Sequence, residues 1–392
     1  MTATPATQHR VGVRLGALSV GQVVSWGILY YALIVAAPAI ADETGWTLPA
    51  VTLAFSGGLI VSALSGIVVG RWLDQRGPRL VMTAGALVGT VGLVVVSAAP
   101  NLLVFAAGWV ICGLAQSAVL YQAAFTVITR RHGDGRRSAM TILTLAGGLA
   151  STVFAPIVAG LLTVLDWRAT FLVLACMLAV LTLPLHWLFL ERSWSPIPPP
   201  RPDEQVHHVS SVVRTRRFWA SELSMVALAM AMLSVTLAVI PLYMEKGLTY
   251  ELAAWALGLL GAGQVIGRLV YVALPHRSAP WVPLIATSGL AVVLLGLMAL
   301  VPGPPWLLIV IGMAAGAVRG AQTLVQGSAV ADRWGTRNYG SINGVFAAPI
   351  TAVSALGPAL GPVVAAGLGG YEAMALVMAG VAVVAVISAR FS

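Results

Sequence analysis

Twelve long apolar segments make up most of the chain, and they constrain its fold more than any other feature. Numbered as spans 1 to 12, they lie at about residues 16–40, 49–72, 79–98, 102–129, 138–164, 168–190, 219–244, 251–274, 281–301, 305–331, 339–367 and 371–389. A helix needs about 20 apolar residues to cross a bilayer. Because lipid offers no partners to backbone polar groups, such segments cross as helices. The sequence therefore predicts an all-α integral membrane protein with twelve transmembrane helices.

The composition argues against a water-soluble globular protein. Hydrophobic residues make up 59% of the chain and charged residues 9%, whereas a typical soluble domain carries about 25% charged residues. The formal net charge is +9, which in a soluble protein would suggest binding to nucleic acid. Arginine-rich loops at a membrane surface explain the same excess. We therefore expect the lipid bilayer, and no nucleic acid, as a partner.

Basic residues divide the loops into two kinds and so predict the orientation of the chain. Loops after odd-numbered spans hold Arg168 and Lys246, whereas most of the 22 Lys and Arg residues lie at the termini or after even-numbered spans. We call the second side the arginine-rich side. Its loop residues are Arg71, Arg76, Arg79, Arg130, Arg131, Arg136, Arg137, Arg192, Arg201, Arg214, Arg216, Arg217, Arg277, Arg333 and Arg337. Because cytoplasmic loops collect Lys and Arg, both termini are predicted to be cytoplasmic, in a bacterial inner membrane.

A loop rich in proline and arginine divides the chain into two halves. Its composition is typical of a solvated, semi-rigid tether. We therefore predict a six-helix bundle at 1–190, a cytoplasmic linker at 191–218 and a second six-helix bundle at 219–392. The halves resemble each other weakly, since spans 5 and 11 carry Pro156 and Pro358 after a small residue. Repeated halves are typical of pseudo-symmetric transporter folds.

The turn between spans 2 and 3 carries the most specific motif. It reads Gly70-Arg71-Trp72-Leu73-Asp74-Gln75-Arg76-Gly77-Pro78-Arg79. Glycine suits a tight turn, and Asp74 suits contact with a helix N-terminus or an arginine; an ordinary charged turn is the alternative. The spacing of Gly70, Asp74, Gly77 and Arg79 resembles the signature of major facilitator transporters. That resemblance implies that Asp74 helps to hold the cytoplasmic side closed in the outward-facing state.

Other stretches resemble bacterial members of the monocarboxylate transporter branch of that superfamily. They are Trp26-Gly27 and Tyr30-Tyr31 in span 1, Gly263 to Arg268 in span 8, and Tyr339 to Gly344 in span 11. In this branch, an arginine of span 8 holds the substrate carboxylate and an aspartate four residues earlier relays a proton. The resemblance implies that Arg268 binds a carboxylate. Gln264 stands at the aspartate position and cannot titrate, so proton coupling by this route is not predicted.

Two arginines inside spans predict a site for an anion. Arg268 lies in span 8 and Arg319 near the middle of span 10, where a charge is costly and usually functional. Gln322 shares a face with Arg319, and the family resemblance implies that span 10 lines a central cavity. Guanidinium groups hold carboxylates bidentately. The alternatives are a structural hydrogen bond to carbonyls of a neighbouring helix for Arg319 and a snorkelling side chain for Arg268.

Aromatic and polar residues of spans 1 and 4 could enclose the apolar body of such a substrate. Gln22, Trp26 and Tyr30 follow one another at i+4 along span 1, and Ser117 and Tyr121 do so along span 4. Pockets for organic ligands combine apolar walls with a few polar groups. Ordinary helix packing with interhelical hydrogen bonds explains this pattern equally well.

Together these residues predict a secondary transporter that moves a small organic anion, a monocarboxylate, by alternating access. Coupling to protons is left open. An exporter of drugs or other toxic compounds on the same fold is the alternative, and a transporter-like sensor is a remote one. The sequence contains no phosphate loop, metal cluster or nucleophile triad, so we expect no enzyme activity, no cofactor and no bound metal. We expect a monomer.

Overall fold

The computed structural model describes residues 5–192, 194, 209–274 and 279–392, and this part of the chain is helical, without strands. Within it, twelve helices are long and apolar enough to cross a membrane, which confirms the predicted fold class. Their bounds are Gly12–Thr44, Leu48–Arg76, Pro78–Ser97, Leu102–Arg131, Arg136–Leu162, Trp167–Phe189, Arg216–Leu237, Tyr250–Ala273, Val282–Leu300, Pro305–Trp334, Tyr339–Leu356 and Tyr371–Ala389.

Side-chain caps and glycines fix where several spans begin and end. Five N-cap residues accept a hydrogen bond from a backbone N–H of the first turn, a donor that a helix start leaves unpaired. They are Thr47, Asn101, Asp166, Thr215 and Thr249. Gly77 and Gly335 end spans 2 and 10 with φ angles of 80° and 79°, a conformation that favours glycine.

Several spans are interrupted where the sequence predicts continuous helices. Span 1 contains a π-helical turn at Gly27–Tyr31, and span 6 ends in another at Leu185–Phe189. Span 4 breaks at the extended residue Leu120, and span 5 breaks at Leu149. The pieces of span 4 are Leu102–Val119 and Tyr121–Arg131, and those of span 5 are Arg136–Gly148 and Ala150–Leu162. The apolar pattern runs through each interruption without changing, so it carried no signal for them.

Short elements complete the described chain. Span 7 is followed by a further helix at Val239–Glu245, and span 11 continues as one helix to Leu368. A 3₁₀ turn occupies Gly133–Gly135 between spans 4 and 5, and a short helix at Val209–Val213 precedes span 7. Residues 193 and 195–208, which include most of the predicted linker, lie outside the described residues.

The chain divides into two compact units. The first comprises residues 1–206 together with 336–351, and the second comprises 207–335 together with 352–392. The predicted domain boundaries at 190 and 218 stay a prediction. Within the first unit, spans 2 and 11 pack closely, since a Cβ on Gly344 would lie 2.6 Å from the carbonyl oxygen of Gly66.

Aromatic rings form part of the core of the first unit. Phe105 and Trp109 of span 4 are fully buried against Trp167 and Phe171 of span 6. The ring centroids lie 5.9 Å apart for Phe105 and Trp167, and 6.2 Å apart for Trp109 and Phe171, in edge-to-face geometry. Such pairs have a preferred orientation, so they fix how spans 4 and 6 pack.

Candidate functional site

The motif between spans 2 and 3 holds the beginning of span 11 within the first unit. Asp74 is 5% exposed. Its Oδ1 accepts the N–H of Gly340 at 3.2 Å, and its Oδ2 accepts the N–H and the hydroxyl of Ser341 at 2.7 and 2.8 Å. A carboxylate at a helix N-terminus satisfies unpaired donors and interacts favourably with the helix dipole. Gly70 approaches Gly340 so closely that a Cβ would overlap its carbonyl oxygen.

The other two positions of the motif contact tryptophans. A Cβ on Gly77 would lie 2.6 Å from the Cβ of Trp194, at the start of the linker. The guanidinium carbon of Arg79 lies 3.8 Å from the ring centroid of Trp187, which is a cation–π distance. The sequence analysis did not identify Trp194 as a functional residue. The feature that could have identified it is a lone tryptophan at the start of a polar, proline-rich segment.

Glycines bring spans 8 and 10 into backbone contact within the second unit. A Cβ added to any of four glycines would overlap a backbone carbonyl oxygen of the facing span. The facing pairs are Gly263 with Met313, Gly267 with Ala317, Gly316 with Leu260, and Gly320 with Gln264. Small residues permit this close packing of helices in membranes. The pairs define a parallel register between the two spans.

This register places Arg268 and Arg319 at similar depth on neighbouring helices. Arg268 is 7% exposed, and Arg319 is half-buried. Nη1 of Arg319 donates a hydrogen bond to the hydroxyl of Thr236 in span 7. This bond links Arg319 to a neighbouring helix through an uncharged side-chain hydroxyl, and the predicted role of Arg319 in binding an anion stays a prediction. Gln264 is half-buried and Gln322 is buried; their predicted contact with cargo stays a prediction.

The three predicted aromatic residues of spans 1 and 4 lie together in the first unit. The ring centroid of Trp26 is 5.2 Å from that of Tyr30 and 4.9 Å from that of Tyr121. Tyr31 joins the group at 6.5 Å from Trp26, and Tyr121 stacks on Phe125 at 5.5 Å. Trp26, Tyr30, Tyr31 and Tyr121 are half-buried, so this aromatic cluster presents rigid apolar surface with polar edges.

Two glutamines stabilise the irregular backbone beside the aromatic cluster. Nε2 of Gln22 in span 1 donates to the carbonyl of Val119 at 2.6 Å, next to the break in span 4. Nε2 of Gln116 in span 4 donates to the carbonyl of Leu29 at 2.8 Å, in the π-helical turn of span 1. Irregular backbone at membrane depth needs such partners. Gln22 is fully buried, which favours a structural role, and its predicted role in binding cargo stays a prediction.

Glu222 is an additional buried ionisable group in the second unit. It lies in span 7 and is 3% exposed. Neither carboxyl oxygen has a hydrogen-bond partner. Burying an unpaired carboxyl group is costly, so apolar packing alone does not explain this residue. The sequence showed Glu222 in span 7 but gave no sign that its carboxyl group would be without a partner.

The described residues form no metal site and a small cavity. No group of His, Cys, Asp or Glu among them could hold a metal ion. One cavity of the first unit, with a volume of about 10 Å³, lies beside Asn343 and the glycines at 66, 70, 340 and 344. Ligand pockets are usually about 300–1,000 Å³, so this cavity is too small for a typical organic cargo.

Sequence comparisons give a family and a distant relative. The sequence profile described as Major Facilitator Superfamily matches residues 18–323. An enterobactin exporter, EntS, from Citrobacter koseri is 28% identical over 373 residues, which cover 88% of this chain and 82% of the exporter.

Solved structures with the same architecture include two transporters. The crystal structure of FucP in the outward conformation superposes with a TM-score of 0.72 at 16% identity, covering 96% of this chain and 97% of FucP. The human organic anion transporter MFSD10 (TETRAN) gives a TM-score of 0.67 at 16% identity, covering 99% of this chain and all of that one. At these identities the likeness concerns the fold alone.

Proposed function

Because the chain belongs to the major facilitator superfamily, we propose that it is a secondary transporter of a small organic anion, a monocarboxylate, working by alternating access. The observation that carries this proposal is the pair of arginines, Arg268 and Arg319, at similar depth on spans 8 and 10. Ionisable groups at membrane depth are costly and are kept for function. A cation pair inside the second unit suits a cargo of negative charge.

The contacts of Arg319 support recognition of a carboxylate. Nη1 of Arg319 donates a hydrogen bond to the uncharged hydroxyl of Thr236. This bond orients the guanidinium group without neutralising its positive charge. A guanidinium group has five N–H donors in a planar fork that matches a carboxylate. The close packing of spans 8 and 10 holds the backbone of Arg268 and Arg319 rigidly, which lowers the entropy lost on binding.

The aromatic cluster of the first unit supplies a surface for the apolar part of a cargo. The ring of Trp26 lies 5.2 Å from that of Tyr30 and 4.9 Å from that of Tyr121, centroid to centroid, and all three side chains are half-buried. Aromatic side chains bury large areas with few rotatable bonds. We propose that this cluster contacts the apolar part of a cargo during transport.

The positions of charged residues support proposals on the orientation of the chain in the membrane and on the coupling of transport to protons. We propose that the arginine-rich side faces the cytoplasm of a bacterial cell, since basic loops are retained there. On the resemblance to the monocarboxylate branch, Gln264 stands where that branch has an aspartate, and glutamine cannot titrate, so we propose that position 264 relays no proton. Uptake measured with and without an imposed proton gradient determines whether another group couples transport to protons.

The test is uptake of short radiolabelled organic acids into proteoliposomes. Arg268→Ala and Arg319→Ala are expected to lower uptake at least about tenfold, because a charge-assisted bidentate contact is worth more than about 1.4 kcal/mol. Arg216→Ala, which removes an exposed arginine of the same unit, is the matched control and should leave uptake unchanged. Unchanged uptake in both span variants would reject the arginine site.

Export is a second candidate, favoured by the relative whose name describes an enterobactin exporter. On this proposal the chain would move a larger or toxic compound out of the cell by the same alternating mechanism. Loading the cargo inside right-side-out vesicles and measuring its energised efflux separates the two directions. Efflux faster than uptake would establish the exporter, and uptake of external monocarboxylates would exclude it.

A further inference from the structure

The start of the linker folds back onto the motif of the first unit. Nε1 of Trp194 donates a hydrogen bond to the backbone carbonyl oxygen of Asp74 at 3.0 Å. Nη1 of Arg130, at the end of span 4, donates to the same oxygen at 2.7 Å. The carboxylate of Asp74 meanwhile accepts the donors of Gly340 and Ser341. One residue is thus held through its backbone by the linker and span 4, and through its side chain by span 11.

Two arginines and a glycine form a socket for the indole ring of Trp194. The guanidinium carbons of Arg130 and Arg131 lie 4.4 and 4.8 Å from its ring centroid. Gly77 lies against the Cβ of Trp194, where an added methyl group would come to 2.6 Å. Glu191 accepts from Nε of Arg131 at 2.6 Å and so orients one wall of the socket.

Trp187 shows how a tryptophan near the end of a span usually behaves. It is 45% exposed and lies beside Arg79, as expected of an interface anchor. Trp194 instead directs its N–H inward to Asp74.

Hydrogen bonds weaken steeply when their distance or angle changes. A shift of the Asp74 backbone would therefore weaken the hydrogen bonds that its carboxylate accepts from the start of span 11.

We propose that Trp194 is a positioning residue of the transport cycle, which fixes the Asp74 carbonyl so that the Asp74 carboxylate can hold the beginning of span 11. Residues 336–351 belong to the first unit by their contacts, whereas span 11 continues into the second unit. Release of Asp74 removes three hydrogen bonds that hold this segment in the first unit. The place of this step in a cycle rests on the proposed transport function, but the contact itself needs no cargo.

The test measures how often the start of span 11 leaves the first unit. Asn343 is 3% exposed, so Asn343→Cys, introduced after Cys112→Ala and Cys176→Ala, should react slowly with maleimide in the purified full-length protein. Trp194→Ala is expected to raise the labelling rate about tenfold, because it removes one hydrogen bond and two cation–π contacts. Trp194→Phe keeps the ring and loses the donor, so a rise of about threefold is expected.

Trp187→Ala is the matched control, since it removes a tryptophan that also stacks on an arginine but does not touch Asp74. Its labelling rate should equal that of the parent. Equal rates for Trp194→Ala and the parent, or equal rises for the two alanine variants, would overturn the proposal. If Trp194→Ala does not yield folded protein by size-exclusion chromatography, Trp194→Phe decides, and the absence of a rise in that variant overturns it. Because no cargo is added, this result is independent of the anion proposal.

Discussion

Replacing Gly267 by alanine tests the packing that sets Arg268 and Arg319 at similar depth. A Cβ at this position would overlap the carbonyl oxygen of Ala317, and the obstacle is backbone that no rotamer change can move. Spans 8 and 10 would have to separate by about 1 Å, which forfeits about a quarter to a half of the dispersion energy of the contacting atoms. Overpacking of a well-packed core typically costs about 1–3 kcal/mol, and we expect the upper end of that range.

Gly258 on the same helix provides the opposite case. It is exposed, and a Cβ there would meet no atom within 4 Å. Gly258→Ala is expected to be neutral or to stabilise by up to about 1 kcal/mol, because alanine has the higher helix propensity. The unfolding temperatures of Gly267→Ala and Gly258→Ala are compared in detergent, with size-exclusion chromatography after heating used to measure the folded fraction. If Gly267→Ala unfolds at the same temperature as Gly258→Ala, the close packing of spans 8 and 10 is wrong, and so is the inferred depth of the two arginines.

Three other perturbations address single groups that are fully or partly buried. Glu222→Met is expected to stabilise the protein by about 1–3 kcal/mol against thermal unfolding, because the carboxyl group it removes has no hydrogen-bond partner; a lower unfolding temperature would contradict this. Gln116→Leu should destabilise by about 1–3 kcal/mol, since the carbonyl of Leu29 loses its donor, and an unchanged unfolding temperature would argue against that role. Burial lowers the pKa of His132 below its ordinary value of 6.5, so the unfolded state binds more protons and stability should fall as the pH falls through 6.5; denaturant titrations should lose this component in His132→Gln.

The twelve spans were predictable because length and apolar composition are all that a bilayer requires of a spanning helix. Thr47, Asp166 and other capping residues lie where the spans begin, so polar residues at the ends of apolar runs also carry the boundaries. The motif was predictable in part. Its glycines and Asp74 stand at a recognisable spacing, but the partners of Asp74 at Gly340 and Ser341 lie far along the chain, and no local pattern identifies them.

The interruptions of the spans were not predictable, because lipid-facing and buried residues are equally apolar on either side of them. Their stabilising donors, Gln22 and Gln116, look in sequence like residues of a polar cavity. An amide can serve a cargo or a backbone carbonyl with the same chemistry, and tertiary packing alone decides between them. The position of Arg319 near the middle of span 10 could be predicted from the sequence. Its hydrogen bond to Thr236 could not, because it depends on how spans 7 and 10 pack.

The hydrogen bond from Arg319 to the hydroxyl of Thr236 offers a test of whether Arg319 holds an anion. Thr236 is fully buried, so Thr236→Asp would place a carboxylate beside the guanidinium group and replace a neutral partner with an ion pair inside the protein. Such a pair satisfies both charges internally. An organic acid would then compete with a permanent neighbour, and we expect its affinity in a thermal-shift titration to fall at least about tenfold, or about 1.4 kcal/mol. Thr236→Ser keeps the hydroxyl and should bind as the parent does. If Thr236→Asp binds organic acids as tightly as Thr236→Ser, Arg319 does not hold the anion, and Arg268 would have to be tested as the sole cation of the site.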